Sequence, residues 1–297
     1  VLALGAAGFF GFTWYRNNHV FVDGDAYEIT TQSLDLTGEG ISVAYYEDLR
    51  AKLPDCEIRW QVPFQGEYFD SSITVLPALT FDESDFYLLR YFPELETVDA
   101  QGCTDYDVLL KLQETYPDLN VMYEIELMDG QCLRENATEC TVTSENVQQL
   151  REMIPYLPEL RTIYSDNCND YDVLTAIYRE NPDINVEYSV DIGQNSYPGD
   201  ATDLTLDISD AAEALELLQY FPDLQKVKFH GLSRNPDLMY QIMCAYPNAV
   251  IEWEFELYGV KTSSVATELI LNQIPMNSVE SVEGALKYFY DLQWVEM

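Results

Sequence analysis

Prolines recur along this chain at a fixed interval, and that interval limits the possible folds more than any other feature. Pro93, Pro158 and Pro222 are spaced by 65 and 64 residues, and Pro117, Pro182 and Pro247 by 65 and 65. The flanking residues repeat with them. Tyr91, Tyr156 and Tyr220 each precede the first proline by two positions, and Leu95, Leu160 and Leu224 follow it by two. Pro54 opens a partial unit, and Thr267 opens another that stops partway. A length of 297 residues would ordinarily point to about two domains. A repeat of this period instead points to an array in which each unit buries its apolar face against its neighbours.

Within a unit the pattern reads strand, helix, strand, helix, strand. In the third unit, residues 202–208 alternate apolar and polar, the period of a half-buried strand. Asp210 and Glu213 have capping-box spacing for a helix carrying Ala214, Leu215, Leu217 and Leu218, which must end before Pro222. Residues 224–229 form a second strand. Asn235 followed by Pro236 is an N-cap and first-turn signature, and Leu238, Met239 and Ile242 supply the apolar stripe of the second helix. Ile251, Trp253, Phe255 and Leu257 then alternate with Glu252, Glu254 and Glu256 in a third strand.

The second strand carries a recognisable spacing. Leu95, Val98, Ala100 and Cys103 fall at L-x-x-L-x-L-x-x-C, as do Leu160, Ile163, Ser165 and Cys168, and then Leu224, Val227, Phe229 and Leu232. Over residues 41–297 the chain resembles the leucine-rich-repeat proteins, and more closely the membrane-anchored leucine-rich-repeat surface proteins of gut Firmicutes. The resemblance implies a solenoid with a parallel sheet and no catalysis, so the expected fold is an α/β, leucine-rich-repeat-like solenoid built from the 65-residue β-α-β-α-β units read above. The long double unit with its third strand departs from the regular pattern.

Residues 1–15 carry no charge, and Trp14, Tyr15 and Arg16 fit the interfacial end of a membrane helix. The run is shorter than the roughly 20 residues a span requires, and the chain begins with Val, so residues 1–18 read as a truncated transmembrane or signal-anchor segment. Residues 19–40 read as a linker, and residues 41–297 as the repeat region ending mid-repeat. The expected location is the cell membrane, single-pass, with the repeats on the extracytoplasmic side.

Lys and Arg number 15 against 52 Asp and Glu, a formal net charge of -37. Such a surface repels phosphate backbones and anionic lipid surfaces, which argues against nucleic-acid binding and leaves cations, basic proteins and neutral glycans. Cys56, Cys103, Cys140 and Cys168 fall in apolar slots of the repeat, where free cysteines sit buried. Cys132 and Cys244 do not, and a Cys132–Cys140 bridge stays open. With only His19 and His230 present and no nucleophile-elbow or phosphate-loop motif, nothing points to an enzyme. A hydrolase built on a carboxylate pair stays open, because it needs no motif.

Two sets of exposed positions are candidates for binding. On the second strand, between the last two apolar slots, stand Asp99, Tyr164 and Lys228, a varied row suited to a protein or surface-polymer ligand. On the third strand the outward residues Glu124, Glu126, Asp191, Glu254 and Glu256 form an acidic row, and alternate residues project together about 7 Å apart. Oxygens in such an array could bind Ca²⁺, although no cofactor is otherwise implied. Asp23, Gly24 and Asp25 resemble the start of a calcium loop but lack the rest of it. The expected function is therefore an extracytoplasmic, membrane-tethered scaffold binding a protein or surface polymer. The alternatives are a structural or Ca²⁺-dependent surface module and a carboxylate-based glycan hydrolase.

Overall fold

The computed structural model of the protein describes residues 18–22, 24–78, 80–271 and 279–296. The chain divides into two compact units, Val1–Ile125 and Glu126–Met297.

In the first unit, His19–Val22 and Asp25–Glu28 form an antiparallel hairpin. Ser33–Leu36 then pairs in parallel with the first half of Glu57–Phe64. The helix Val43–Lys52 makes the crossover, capped by the Ser42 hydroxyl, which accepts from the Tyr45 N–H at 3.3 Å. The second half of Glu57–Phe64 pairs antiparallel with Glu67–Asp70. A parallel sheet of Val75–Pro77, Thr97–Asp99 and Asn120–Met122 follows, joined through the 3₁₀ helix Glu83–Tyr91 and the helix Tyr106–Thr115. Residues 19–40, which read as a linker, thus carry strands.

The second unit repeats the scheme. Glu139–Val142, Thr162–Ser165 and Asn185–Glu187 form a parallel sheet, and the chain continues through Ser189–Ile192 into a hairpin with Asn195–Pro198. Asp203–Asp207, Lys226–Ser233 and Val250–Leu257 are parallel neighbours, and Val260–Ser263 closes that sheet antiparallel. Glu268–Ile270 and Trp294–Glu296 form a last parallel pair.

The core follows the alternation in the sequence. Ile251, Trp253 and Phe255 are buried while Glu254 and Glu256 are exposed. Leu160, Ile163 and Cys168 are buried, as are Val98, Ala100 and Cys103. The Asn235 side chain caps the helix Pro236–Ala245, accepting from the Leu238 N–H at 3.2 Å. The capping box expected at Asp210 and Glu213 does not form, because Glu213 instead accepts from the Gly193 N–H at 2.9 Å. That contact needs Gly193, where a Cβ would meet the Asp210 carboxylate, and the residue takes φ +65°.

The expected leucine-rich-repeat solenoid with its parallel sheet is not what the chain forms. The sheets are separate and hold two to four strands each. The physical reason lies in the third strand. It runs past its parallel partner into a tight hairpin, and the residue after the return strand bonds back to it. The N–H groups of Ser71, Gly199 and Ser264 donate to the carbonyls of Trp60, Tyr188 and Trp253 at 2.8, 2.8 and 3.0 Å. The returning chain therefore takes up hydrogen-bonding groups that a continuing parallel ladder would need. The Leu-rich spacing lies on one strand in three and guides burial, without setting how sheets join.

Among the described residues no helix is long and apolar enough to cross a membrane, and on that finding the single-pass membrane localisation is corrected. Residues 1–17, which carried that expectation, lie outside the described residues, as do Asp23 and Met297.

All six cysteines are free, which removes the Cys132–Cys140 bridge. Burial pushes the Cys140 thiol up to about 12, so it stays protonated and unreactive near neutrality. In the folded chain a thiol reagent should label Cys132 and Cys244, and label Cys56, Cys103, Cys140 and Cys168 only after unfolding. Rapid native labelling at all positions would contradict this core. Leu160 is 1% exposed, and Leu160→Ala should cost about 2–5 kcal/mol in a denaturant melt. A loss under about 1 kcal/mol would place it outside the core.

Candidate functional site

The parallel register brings the predicted second-strand residues into equivalent rows. Asp99 lies between Pro77 and Met122, Tyr164 between Thr141 and Glu187, and Lys228 between Thr205 and Glu252. Each sits in the same sheet position, one residue past a fully buried Val98, Ile163 or Val227. Their chemistry differs. The Asp99 carboxylate accepts from the Gln101 N–H at 3.4 Å in a local turn. Lys228 is committed to Glu252, with Nζ 2.8 Å from Oε1, while Lys226 Nζ lies 2.7 Å from Oε2. These two lysines, Lys226 first, hold the Glu252 carboxyl below its ordinary range. Tyr164 is 39% exposed and faces a cleft.

That cleft has a volume of about 550 Å³, within the range of ligand sites. It is bounded on one side by Tyr164 and Glu187 of the parallel strands, and on another by Asp191, Ser196 and Pro198 of the hairpin. Tyr171, at the start of the helix Tyr171–Glu180, and the preceding loop close a third side. Asn167 holds that loop in a left-handed turn at φ 50°, a conformation asparagine tolerates. The site therefore lies where parallel strands end and a helix begins, the usual place for a ligand crevice between strand and helix.

The floor is Tyr188, buried by the packing around it. Its hydroxyl donates to the Tyr220 carbonyl at 2.7 Å and lies 3.4 Å from the Thr175 hydroxyl. Gly199 lies against this ring, where a Cβ would stand 2.3 Å from a ring carbon, so only glycine fits there. The equivalent positions beside Trp60 and Trp253 are Ser71 and Ser264, whose hydroxyls accept from the indole residues' backbone N–H groups at 3.4 and 3.2 Å.

The charged lining is acidic. Glu187, Asp191 and Asp200 face the cleft, and among the described residues no Lys, Arg or His lines it. The Glu187 carboxylate accepts from the Asn185 amide at 2.9 Å. The Asp191 N–H donates to the Tyr171 hydroxyl at 3.5 Å. Elsewhere carboxylates on the same kind of strand or hairpin find internal cations. Arg59 donates to Asp70 through two nitrogens at 2.8 and 3.2 Å, and this guanidinium holds the Asp70 carboxyl down at about 2.

The acidic row of the third strand does not gather at one point. Of its members Asp191 alone lines this cleft. Glu124 and Glu126 lie on a separate strand, Glu124–Glu126. Glu254 pairs across the sheet with Leu232 and Ser263, and Glu256 with Lys261. Among the described residues no group of three or more His, Cys, Asp or Glu is placed to hold a metal ion. The sequence pointed to Tyr164 and Asp191 on different strands without joining them; it placed Glu187 on the outward face of the third strand without making it a candidate ligand, and did not single out Asp200 or Tyr171. The register rule could have joined Tyr164 to Glu187, since both follow a buried β-branched residue by one position.

Comparison with known protein families and with curated proteins finds no match for this chain. The leucine-rich-repeat resemblance thus gains no support from them.

Proposed function

We propose that this chain is a non-catalytic repeat scaffold that binds a protein or polymer ligand through the Tyr164 cleft. One observation carries the reading: the fold brings Tyr164 from the second strand, Glu187 from the third and Asp191 from the hairpin to one cleft of ligand size. The exposed tyrosine offers a flat apolar face with a polar tip, a residue type that supplies contact area with little entropy loss. The strand backbones behind these residues are fixed by ladder hydrogen bonds, so the site is preorganised. The second-strand positions vary between units while the strands beneath them do not, which is how a scaffold presents different surfaces on one frame.

The test is a calorimetric titration of the intact chain with neutral polysaccharides and with peptides of both charge signs. A saturable ligand whose affinity falls at least about fivefold in Tyr164→Ala supports the cleft, a loss of about 1 kcal/mol. Saturable binding that Tyr164→Ala leaves unchanged, or no saturable ligand at all, contradicts it.

A further inference from the structure

The third sequence repeat, opened by Thr202, contains an internal comparison for the cleft in the second repeat, opened by Thr138. Tyr164 and Lys228 occupy the same register slot on the second strand, as do Thr162 and Lys226 one row earlier. Their third-strand neighbours Glu187 and Glu252 also correspond, since each is the Cα partner of the residue in the Tyr164 or Lys228 slot. In the third unit Glu252 is met by both lysine ammonium groups, at 2.7 and 2.8 Å. In the second unit the same two slots hold Thr and Tyr, so the second strand sends no cation toward Glu187. The backbone frame that holds a carboxylate against ammonium groups is thus present twice, and in one copy the second strand does not supply the ammonium groups.

Resting on the reading of the cleft as a binding site, we propose that its occupant is a lysine- or arginine-bearing peptide segment of a partner protein. The ligand's cation would take at Glu187 the place that Lys226 and Lys228 take at Glu252. Asp191 and Asp200 add negative charge on the same cleft, and among the described residues no basic side chain lines it. A neutral sugar could hydrogen-bond these carboxylates but would leave their charge uncompensated as water is displaced, and a cation compensates it directly. The exposed Tyr164 ring can take a guanidinium or ammonium over its face. The helix Tyr171–Glu180 begins at the cleft, and its dipole would oppose a cation there. Asp170 at its N-cap and Asp172 in its first turn offset that field. The net charge of -37 steers a basic partner toward this protein at long range.

Diffuse attraction by so acidic a chain must be separated from recognition at this cleft. The probe is a short fluorescent peptide containing arginine, measured by anisotropy against the intact chain, beside a neutral oligosaccharide of similar size. The variants Glu187→Gln and Asp191→Asn remove charge at exposed lining positions, and Glu216→Gln removes one charge from an exposed helix position elsewhere. Circular dichroism confirms that each variant is folded. The expected result is saturable binding that weakens with salt, falls about tenfold in Glu187→Gln and several-fold in Asp191→Asn, and is unchanged in Glu216→Gln. Equal affinity in all variants, or equal weakening including Glu216→Gln, overturns the proposal in favour of diffuse charge. Oligosaccharide binding that depends on Tyr164, with no peptide binding, overturns the basic-peptide assignment and leaves the cleft reading standing. Binding of neither probe overturns both.

Discussion

In four of the units a single threonine carbonyl fixes how the first two strands align. The carbonyl oxygens of Thr74, Thr138, Thr202 and Thr267 each accept two consecutive N–H groups from the residues opening the second strand. The partners are Glu96 and Thr97, Arg161 and Thr162, Gln225 and Lys226, and Gln293 and Trp294, at 2.8 to 3.2 Å. Strand side chains alternate faces, so a slip of one residue would turn Ile163 and Val227 outward and drive Tyr164 and Lys228 into the core. The positions of every exposed row described above follow from this register, and so does the place of the cleft.

The second constraint is the hairpin. At two of the turns the reversal uses two residues with positive φ, Gln65 and Gly66 at 50° and 84° and Tyr258 and Gly259 at 50° and 78°. This is the twist-matched geometry of tight β-hairpins, and glycine makes its second position inexpensive. The aromatic residue where the chain returns, Trp60, Tyr188 or Trp253, is buried in each case and anchors the corner. These corners accompany small separate sheets, parallel, antiparallel or mixed, in place of one continuous parallel sheet.

Much of this was legible in the sequence. The proline period located the units, the alternation around Trp253 located an inner and an outer face, and the repeat slots of Cys56, Cys103, Cys140 and Cys168 identified them as buried. The fourth strand of each unit was missed, although Gln65-Gly66 and Tyr258-Gly259 stand between alternating segments and carry the turn signal. The Leu-rich spacing misled because it reports which side chains face inward, and many sheet arrangements share that requirement. The site was half legible. Exposed positions can be found by alternation along one strand, but which residues meet across strands depends on register, and register is set by backbone hydrogen bonds between segments separated in sequence by a helix. For that reason Glu187 and Glu252 looked alike in the sequence, and only their neighbours Tyr164 and Lys228 distinguish them.

The central claim is that one backbone frame either neutralises its third-strand carboxylate internally or leaves it to a ligand, according to the residue in the Tyr164 slot. The most direct measurement compares Tyr164→Lys with Tyr164→Met, two unbranched replacements that differ in charge, by affinity for an arginine-containing peptide and by thermal midpoint. The account predicts that both variants fold, and that the lysine variant loses at least about tenfold more affinity than the methionine variant because its own ammonium occupies Glu187. Equal affinity in the two variants would show that the charge in this slot does not govern the site, and would contradict the account.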